Sequence, residues 1–353
     1  MGLIVLPPLP LSAPAPDPSL GAASGGDARR GSGPAFAALD LGTNNCRMLI
    51  GTPCGVGFRV IDSFSRVVRL GEGLHRSGRL SECGMERALE ALQCCAGRLA
   101  RRPVRGLRAV ATEACRQAEN GAEFLGRAKV VTGLPLELIS PREEATLALE
   151  SCAALLVGTA RRALVFDIGG GSTELAWVRI DPCGAPVMIG YMSLPVGVVT
   201  LAERFGAAAD TAAGFRAMVA EIVARLAGFE HVHCIGREIR QGEVQLLGTS
   251  GTVTTLAGQA LGLPRYHRAL VDGTVLSAAA ATGALDRLRA LGREGLCTHP
   301  CIGPERAEFV LPGCAIFAAI WQTWPAPEII VADRGLREGM LLRLIRSQRG
   351  RRA

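Results

Sequence analysis

Apolar and polar residues along this chain switch between a two-residue and a 3.6-residue period, and the switches mark out its elements. Residues 36–39 are apolar, Asp40-Leu-Gly-Thr-Asn-Asn45 has turn composition, and residues 47–51 are apolar again, which predicts strand, turn, strand. Residues 58–70 carry the β-branched and aromatic bias of a further strand. The period then becomes helical. Met85, Ala88, Leu89, Leu92, Ala96 and Leu99 share one face over 81–100, behind Ser81 as a cap. Residues 107–112 read as a short buried strand and 121–132 as a helix.

Ser140-Pro-Arg-Glu143 opens the next helix with a capping-box pattern and Pro at its first position. Its apolar face is Ala145, Ala148, Leu149, Cys152, Leu155 and Leu156. At about 100° per residue Glu143 points almost opposite that face and has the cap as its local task. Glu144 lies at the margin of the face and has none. Residues 163–166 form a strand, then come Asp167-Ile-Gly-Gly-Gly-Ser172 and a second strand over 173–180. This unit echoes the first one 127 residues downstream, Asp167 against Asp40, which predicts a duplicated α/β half. Helices are expected at about 196–206, 211–229, 253–261, 273–292, 303–323 and 335–348, with strands at 243–248 and 329–332. Residues 1–33, rich in Pro, Gly, Ala and Ser, are expected to form a disordered tail.

The 353 residues are 48% hydrophobic and 20% charged, which excludes wholesale disorder. No apolar stretch reaches the length of a membrane span, so no membrane association is expected. The net charge of +7 invites a nucleic-acid reading, but its placement argues against one. From Asp333 onward seven Arg face two carboxylates, a net +5, which leaves +2 for the 332 residues before it. A nucleic-acid-binding face would gather its cations around a groove in the body. Lys129 stands alone against 38 Arg, so any phosphate contact falls to Arg or to backbone N–H groups. The twelve Cys are scattered, and neither His231, His233 and Cys234 nor Cys297, His299 and Cys301 match a zinc spacing. Pro7, Pro8 and Pro10 interrupt the apolar residues 3–6 and no basic segment precedes them, so no signal peptide is expected and the compartment is read as a reducing cytoplasm.

Three Gly/Ser/Thr turns follow apolar strands: Asp40 to Asn45, Asp167 to Thr173, and Gly248-Thr-Ser-Gly-Thr252. Small residues let the chain approach an anion and turn several N–H groups toward it. An Asp at a strand end can hold a hydrated Mg²⁺. No Walker loop or dinucleotide fingerprint is present, and the first two turns lead into strands rather than helices. Phosphate gripped between two β-hairpins of a duplicated α/β chain is the arrangement of the actin-like superfamily, which includes sugar kinases and heat-shock chaperones.

Five segments make a resemblance specific: Ala37-Ala-Leu-Asp-Leu-Gly-Thr-Asn44, Ala111-Thr-Glu-Ala-Cys-Arg-Gln-Ala118, Ile139-Ser-Pro-Arg-Glu-Glu-Ala145, Val165-Phe-Asp-Ile-Gly-Gly-Gly-Ser-Thr-Glu-Leu175 and Gly335-Leu-Arg-Glu-Gly339. With Gly248 to Thr252 and Leu311-Pro-Gly313 they span about residues 35–345, and the chain resembles the exopolyphosphatase and guanosine pentaphosphate phosphatase family in its short two-domain form. The resemblance implies an α/β fold of duplicated actin-like (ribonuclease H-like) domains with an interdomain cleft. The first domain would cover 34–147, completed by 334–353, and the second 148–333. The implied reaction is Mg²⁺-dependent hydrolysis of a terminal phosphoanhydride, with inorganic polyphosphate as substrate or guanosine pentaphosphate as the alternative. Glu144 is implied as the base that orients the attacking water, and Asp167 approaches the Mg²⁺ with Asp40 and Glu174 in support. Thr43, Asn44, Arg116, Gly170, Gly171 and Ser172 would hold the terminal phosphate. Glu113 and Glu119 read as solvated charges. The first turn departs from the family, with Thr43-Asn-Asn-Cys46 where many members have Ser-Asn-Ser. Two readings outside the hydrolases stand beside this one: an ATP-holding protein of the actin or sugar-kinase kind, and a non-catalytic sensor of polyphosphate or alarmone. A homodimer is left open.

Overall fold

The computed structural model describes residues 34–156, 160–181 and 185–350. The tail expected over 1–33 and the last three residues of the expected return to the first domain lie outside them. Two sheets carry the fold. The first contains β1 (Phe36–Leu41), β2 (Asn45–Cys54), β3 (Gly57–Val67), β4 (Gly106–Ala111) and β5 (Leu136–Leu138), in the order β3-β2-β1-β4-β5. The second contains β6 (Arg162–Ile168), β7 (Thr173–Arg179), β8 (Val187–Leu194), β9 (Val244–Thr249), β10 (Val275–Ser277) and β11 (Glu328–Ala332), in the order β10-β11-β9-β6-β7-β8. In each, a hairpin strand pairs antiparallel on one side and a following strand pairs parallel on the other. The duplication expected from Asp40 and Asp167 is therefore one of topology as well as of turn sequence.

Helices α1 (Leu74–Ser77), α2 (Glu82–Arg101), α3 (Glu113–Gln117) and α4 (Gly121–Thr132) belong to the first sheet, and α5 (Pro141–Cys152) leads to the second. There follow α6 (Val198–Phe205), α7 (Ala212–His233), α8 (Ile235–Arg240), α9 (Gly251–Ala260), α10 (Arg268–Val271), α11 (Ala278–Ala290), α12 (Gly292–Thr298), α13 (Pro304–Thr323) and α14 (Leu336–Gly350). Both central strands are covered on both faces, which is why they read as unbroken apolar runs. From β1, Ala37, Leu39 and Leu41 pack with Leu92 of α2 and Phe124 of α4, while Phe36 and Ala38 pack with Met340 and Leu341 of α14. From β6, Leu164 and Phe166 face Ile222 of α7 and Phe317 of α13, while Ala163 and Val165 face Leu149 and Cys152 of α5. Each fully buried Leu of this kind contributes about 2 kcal/mol. Helices α5 and α14 cross tightly, and a Cβ on Gly339 would lie 2.1 Å from the Leu147 carbonyl oxygen.

The pattern missed the short pieces. Residues 275–277 form β10 against β11, so the helix expected over 273–292 begins at Ala278. Strands β5 and β8 were not anticipated, nor were α3, α8 and α12. A three-residue strand or a five-residue helix is too short to establish a period. No helix among the described residues is long and apolar enough to cross a membrane.

Candidate active site

The hairpin turns of the two sheets face each other across a cavity of about 840 Å³. Thr43 and Asn44 line it from the first turn, Gly170, Gly171 and Ser172 from the second, and Ser250, Gly251 and Thr252 from the cap and first turn of α9. The first two turns are closed alike, Gly42 N–H donating to the Asn45 carbonyl and Gly169 N–H to the Ser172 carbonyl, each at 2.9 Å. The turns touch: a Cβ on Gly171 would stand 2.7 Å from Thr43 Oγ1, so glycine is required by the approach of the other hairpin. Ser250 caps α9, its Oγ accepting from the N–H groups of Thr252 at 3.2 Å and Val253 at 3.4 Å. Its φ of 120° is a strained backbone value of the kind that persists at binding sites.

Glu144 enters the cavity from the first turn of α5. Ser140 Oγ accepts from the Glu143 N–H at 3.2 Å and fixes that turn. The two neighbouring glutamates then part. Glu143 accepts from Arg108 at 2.6 Å and stands 3.5 Å from Arg343, so its carboxylate is an ion-pair partner rather than the helix cap expected of it. The Glu144 side chain is 16% exposed. Burial holds its pKa well above the ordinary carboxylate range, Glu174, Asp40 and Asp167 push the same way, and Arg116 opposes them.

Asp40 and Asp167 end their strands on the cavity wall. Burial raises both, with Arg47 as the main opposing charge, and Asp167 reaches about 6. Asp40 Oδ1 and Asn44 Oδ1 are buried with no hydrogen-bond partner. Orphaned acceptors beside two buried carboxylates are a donor set that fits a hard divalent cation such as Mg²⁺, which takes one or two carboxylates and fills its shell with water and phosphate oxygens. No three His, Cys, Asp or Glu groups among the described residues are placed to hold a metal ion, so the fit is to a two-carboxylate site.

Eight of the ten residues singled out in the sequence thus line the cavity, and two do not. Glu174 sits beneath the second turn, accepting from Ser172 Oγ at 2.6 Å and Ser193 Oγ at 3.1 Å. Burial pushes its pKa up to about 8, with Asp167 adding to the rise and the two serines opposing it. Arg116 stands behind Glu144. Its Nε and Nη2 donate to Glu113, Nη1 donates to the Ile139 carbonyl at 2.7 Å, and both Nη groups reach Glu144 Oε2 at 3.4 Å. All five guanidinium N–H groups have protein acceptors here, Glu144 among them. Glu113, expected to be solvated, is 8% exposed and accepts from both Arg116 and Gln117.

The sequence pattern also overlooked the cavity's cations. Arg47 lies across the β1–β2 ladder from Asp40, and Arg306 of α13 and Arg337 of α14 line the same space. Arg306 donates to the Gly251 carbonyl at 3.2 Å and has no carboxylate partner among the described residues. Its pKa is lowered by burial and by Arg47 nearby, with Tyr266 and Asp333 opposing. Glu338, 4% exposed, accepts from the Gly335 N–H at 3.0 Å and pairs with Arg268 at 3.1 Å. The signal for Arg47 was its place seven residues after Asp40, matched by Glu174 seven after Asp167.

Residues 52–348 match the Ppx/GppA phosphatase family. The chain is 33% identical over 315 residues to the guanosine-5'-triphosphate,3'-diphosphate pyrophosphatase of Aeromonas salmonicida (strain A449), a match covering 88% of this chain and 60% of that protein. The chain therefore spans about three fifths of the length of that relative. Among solved structures it resembles an exopolyphosphatase-like protein at 29% identity and a TM-score of 0.76, over 88% of this chain and 97% of the other. It also resembles the Aquifex aeolicus member of the Ppx/GppA family at 28% identity and a TM-score of 0.71, over 89% and 98%.

Proposed function

Because the chain belongs to the Ppx/GppA phosphatase family, we propose that it hydrolyses the terminal phosphoanhydride of inorganic polyphosphate, releasing orthophosphate and a chain one unit shorter. The observation that carries this is the Glu144 carboxylate, buried and raised in pKa, in one cavity with the two hairpin turns. Phosphoryl transfer asks a protein mainly for positioning and charge neutralisation. Thr43, Asn44 and the backbone N–H groups of Gly170, Gly171 and Ser172 grip the terminal phosphate. Arg47, Arg306 and Arg337 neutralise the phosphates behind it. Glu144, held by Arg116, accepts a hydrogen bond from a water, aims it at phosphorus and takes its proton as the P–O bond to the leaving chain breaks. Its raised proton affinity makes it a better acceptor of that proton than an ordinary carboxylate. Asp40 and Asp167 would hold Mg²⁺, which would supply further charge neutralisation at the phosphate oxygens.

Guanosine pentaphosphate is the second reading, favoured by the name of the Aeromonas relative. Domain boundaries follow the same reading: 34–147 with 334–350 as one domain and 148–333 as the other. Orthophosphate release from long-chain polyphosphate, guanosine pentaphosphate and ATP, each with and without Mg²⁺, tests the proposal. Mg²⁺-dependent release from either of the first two, with ATP left nearly intact, is expected. Tight ATP binding with no release from polyphosphate or guanosine pentaphosphate would overturn it.

A further inference from the structure

The two phosphate-facing turns are backed by segments that belong to neither hairpin. Residues 68–73 follow β3 and run beneath the first turn. The Val68 and Arg69 N–H groups donate to the Asn44 carbonyl at 2.8 and 3.1 Å, and the Gly71 N–H donates to the Thr43 carbonyl at 2.9 Å. A Cβ on Gly71 would lie 2.3 Å from Thr43 Cγ2, so the approach is available to glycine alone. Helix α6 does the same for the second turn, with Val198 N–H donating to the Gly169 carbonyl at 3.0 Å and Val199 N–H to the Gly170 carbonyl at 2.8 Å.

These two backings are tied to each other. The Gly73 N–H donates to Glu203 of α6 at 2.7 Å. Arg69 pairs with Glu308 of α13 at 2.6 Å, and its guanidinium lies 5.8 Å from the centre of the Phe309 ring. Arg69 holds a positive φ of 49°, an unfavourable value for a residue other than glycine, and contacts on both sides pin it there. The result is a continuous chain of contacts: Thr43 and Asn44, residues 68–73, Glu203 and Glu308, α6, then Gly169 and Gly170. Neither Glu203 nor Glu308 lines the cavity.

We propose that Glu203 and Glu308 are positioning residues: by gripping residues 68–73 from the second lobe they fix the spacing of the two phosphate turns, and so the affinity for terminal phosphate, without touching substrate. This rests on the phosphate-holding role given to the turns above. A change of a few tenths of an ångström matters there because the turns already meet, with a Cβ on Gly170 only 3.2 Å from Thr43 Cβ. Glu203 matters more than Glu308. It supplies a charge-assisted bond to a backbone donor, whereas the Arg69–Glu308 pair is partly exposed and screened.

The test combines kinetics on inorganic tripolyphosphate with amide deuterium exchange on the unliganded protein. Glu203→Ala is expected to raise KM about tenfold, as loss of one such bond does, while kcat stays near that of the parent. Exchange should quicken in both 42–45 and 169–172. Glu203→Gln keeps an acceptor and should recover most of both effects. Arg69→Glu and Glu308→Arg should each raise KM a few-fold, and the two together should restore it. Unchanged exchange in both turns, or a KM within twofold of the parent in Glu203→Ala, would overturn the proposal. If the parent hydrolyses neither polyphosphate nor guanosine pentaphosphate, the functional reading fails on its own, and the exchange measurement still decides the role of Glu203.

Discussion

Asp40 and Asp167 hold the same place in their hairpins, but the residue across the ladder is Arg47 in the first and Glu174 in the second. Residues directly opposite in an antiparallel pair share a face, so one lobe presents an acid beside a base and the other two acids side by side. Burial raises Asp40 and Asp167 alike, and Arg47 is the largest charge opposing it for each, so a cation from the first lobe serves both. Glu174 has no such neighbour. Pushed up to about 8, it is largely protonated near neutrality and works as a hydrogen-bonding brace for Ser172 and Ser193. A duplicated scaffold has thus kept the geometry of its turns while dividing the chemistry. In the proposed mechanism the first lobe supplies Arg47 and the base Glu144, and the second supplies the glycine-rich turn, Arg306 and the buried acid Glu174.

That division can be broken at its strongest point. Asp167→Asn removes a carboxylate proposed to hold Mg²⁺, and kcat for orthophosphate release should fall beyond the roughly 10–100-fold typical of outer-shell partners of a metal. The Mg²⁺ concentration for half-maximal activity should rise with it; unchanged Mg²⁺ dependence would remove Asp167 from that role. Arg47→Met leaves Asp40 and Asp167 without their shared cation and strips a charge from the cavity proposed to hold phosphate. KM for tripolyphosphate should rise about tenfold, the size of one charge-assisted contact, and Mg²⁺ should bind no more weakly than in the parent.

Glu174→Gln replaces a protonated acid with a neutral isostere, so activity at pH 7 should stay near the parent's. The difference appears in stability. Glu174 and Asp167 have native pKa values of about 8 and 6 against unfolded values of 4.5 and 3.8, so the native protein keeps protons that the unfolded chain has released. Without Mg²⁺ the melting temperature should therefore fall as pH rises from about 4 to 8. Glu174→Gln should flatten the upper part of that decline, and thermal melts across the pH range check it. A parent whose stability rises over this window would contradict the burial of these acids.

Much of this was legible in the chain. Residues 36–39 and 163–166 read as strands because both faces are covered, and the Asp-x-Gly turns announced the duplication. Glu144 stood out because it lacked a place in its helix's own pattern. Residues whose partners lie far along the chain were harder to see. Arg116 was singled out by its motif as a phosphate residue, and its motif did not reveal its partners Glu113, Ile139 and Glu144. Glu113 looked solvated because a five-residue helix shows no period. Arg306 and Glu338 become neighbours of the cavity only when α13 and α14 fold back, a tertiary fact that no local spacing encodes.

The account stands or falls on the two adjacent glutamates of α5. Paired measurements on Glu144→Gln and Glu143→Gln, of turnover on tripolyphosphate and of its binding by calorimetry, test it most directly. Glu144→Gln should lower kcat about 10²–10⁴-fold, the contribution of a positioned general base, with binding within a few-fold of the parent. Glu143→Gln should turn over normally and lose about 0.2–1 kcal/mol of stability with its ion pairs to Arg108 and Arg343. Equal losses of turnover in the two variants, or full activity in Glu144→Gln, would contradict the assignment of the base.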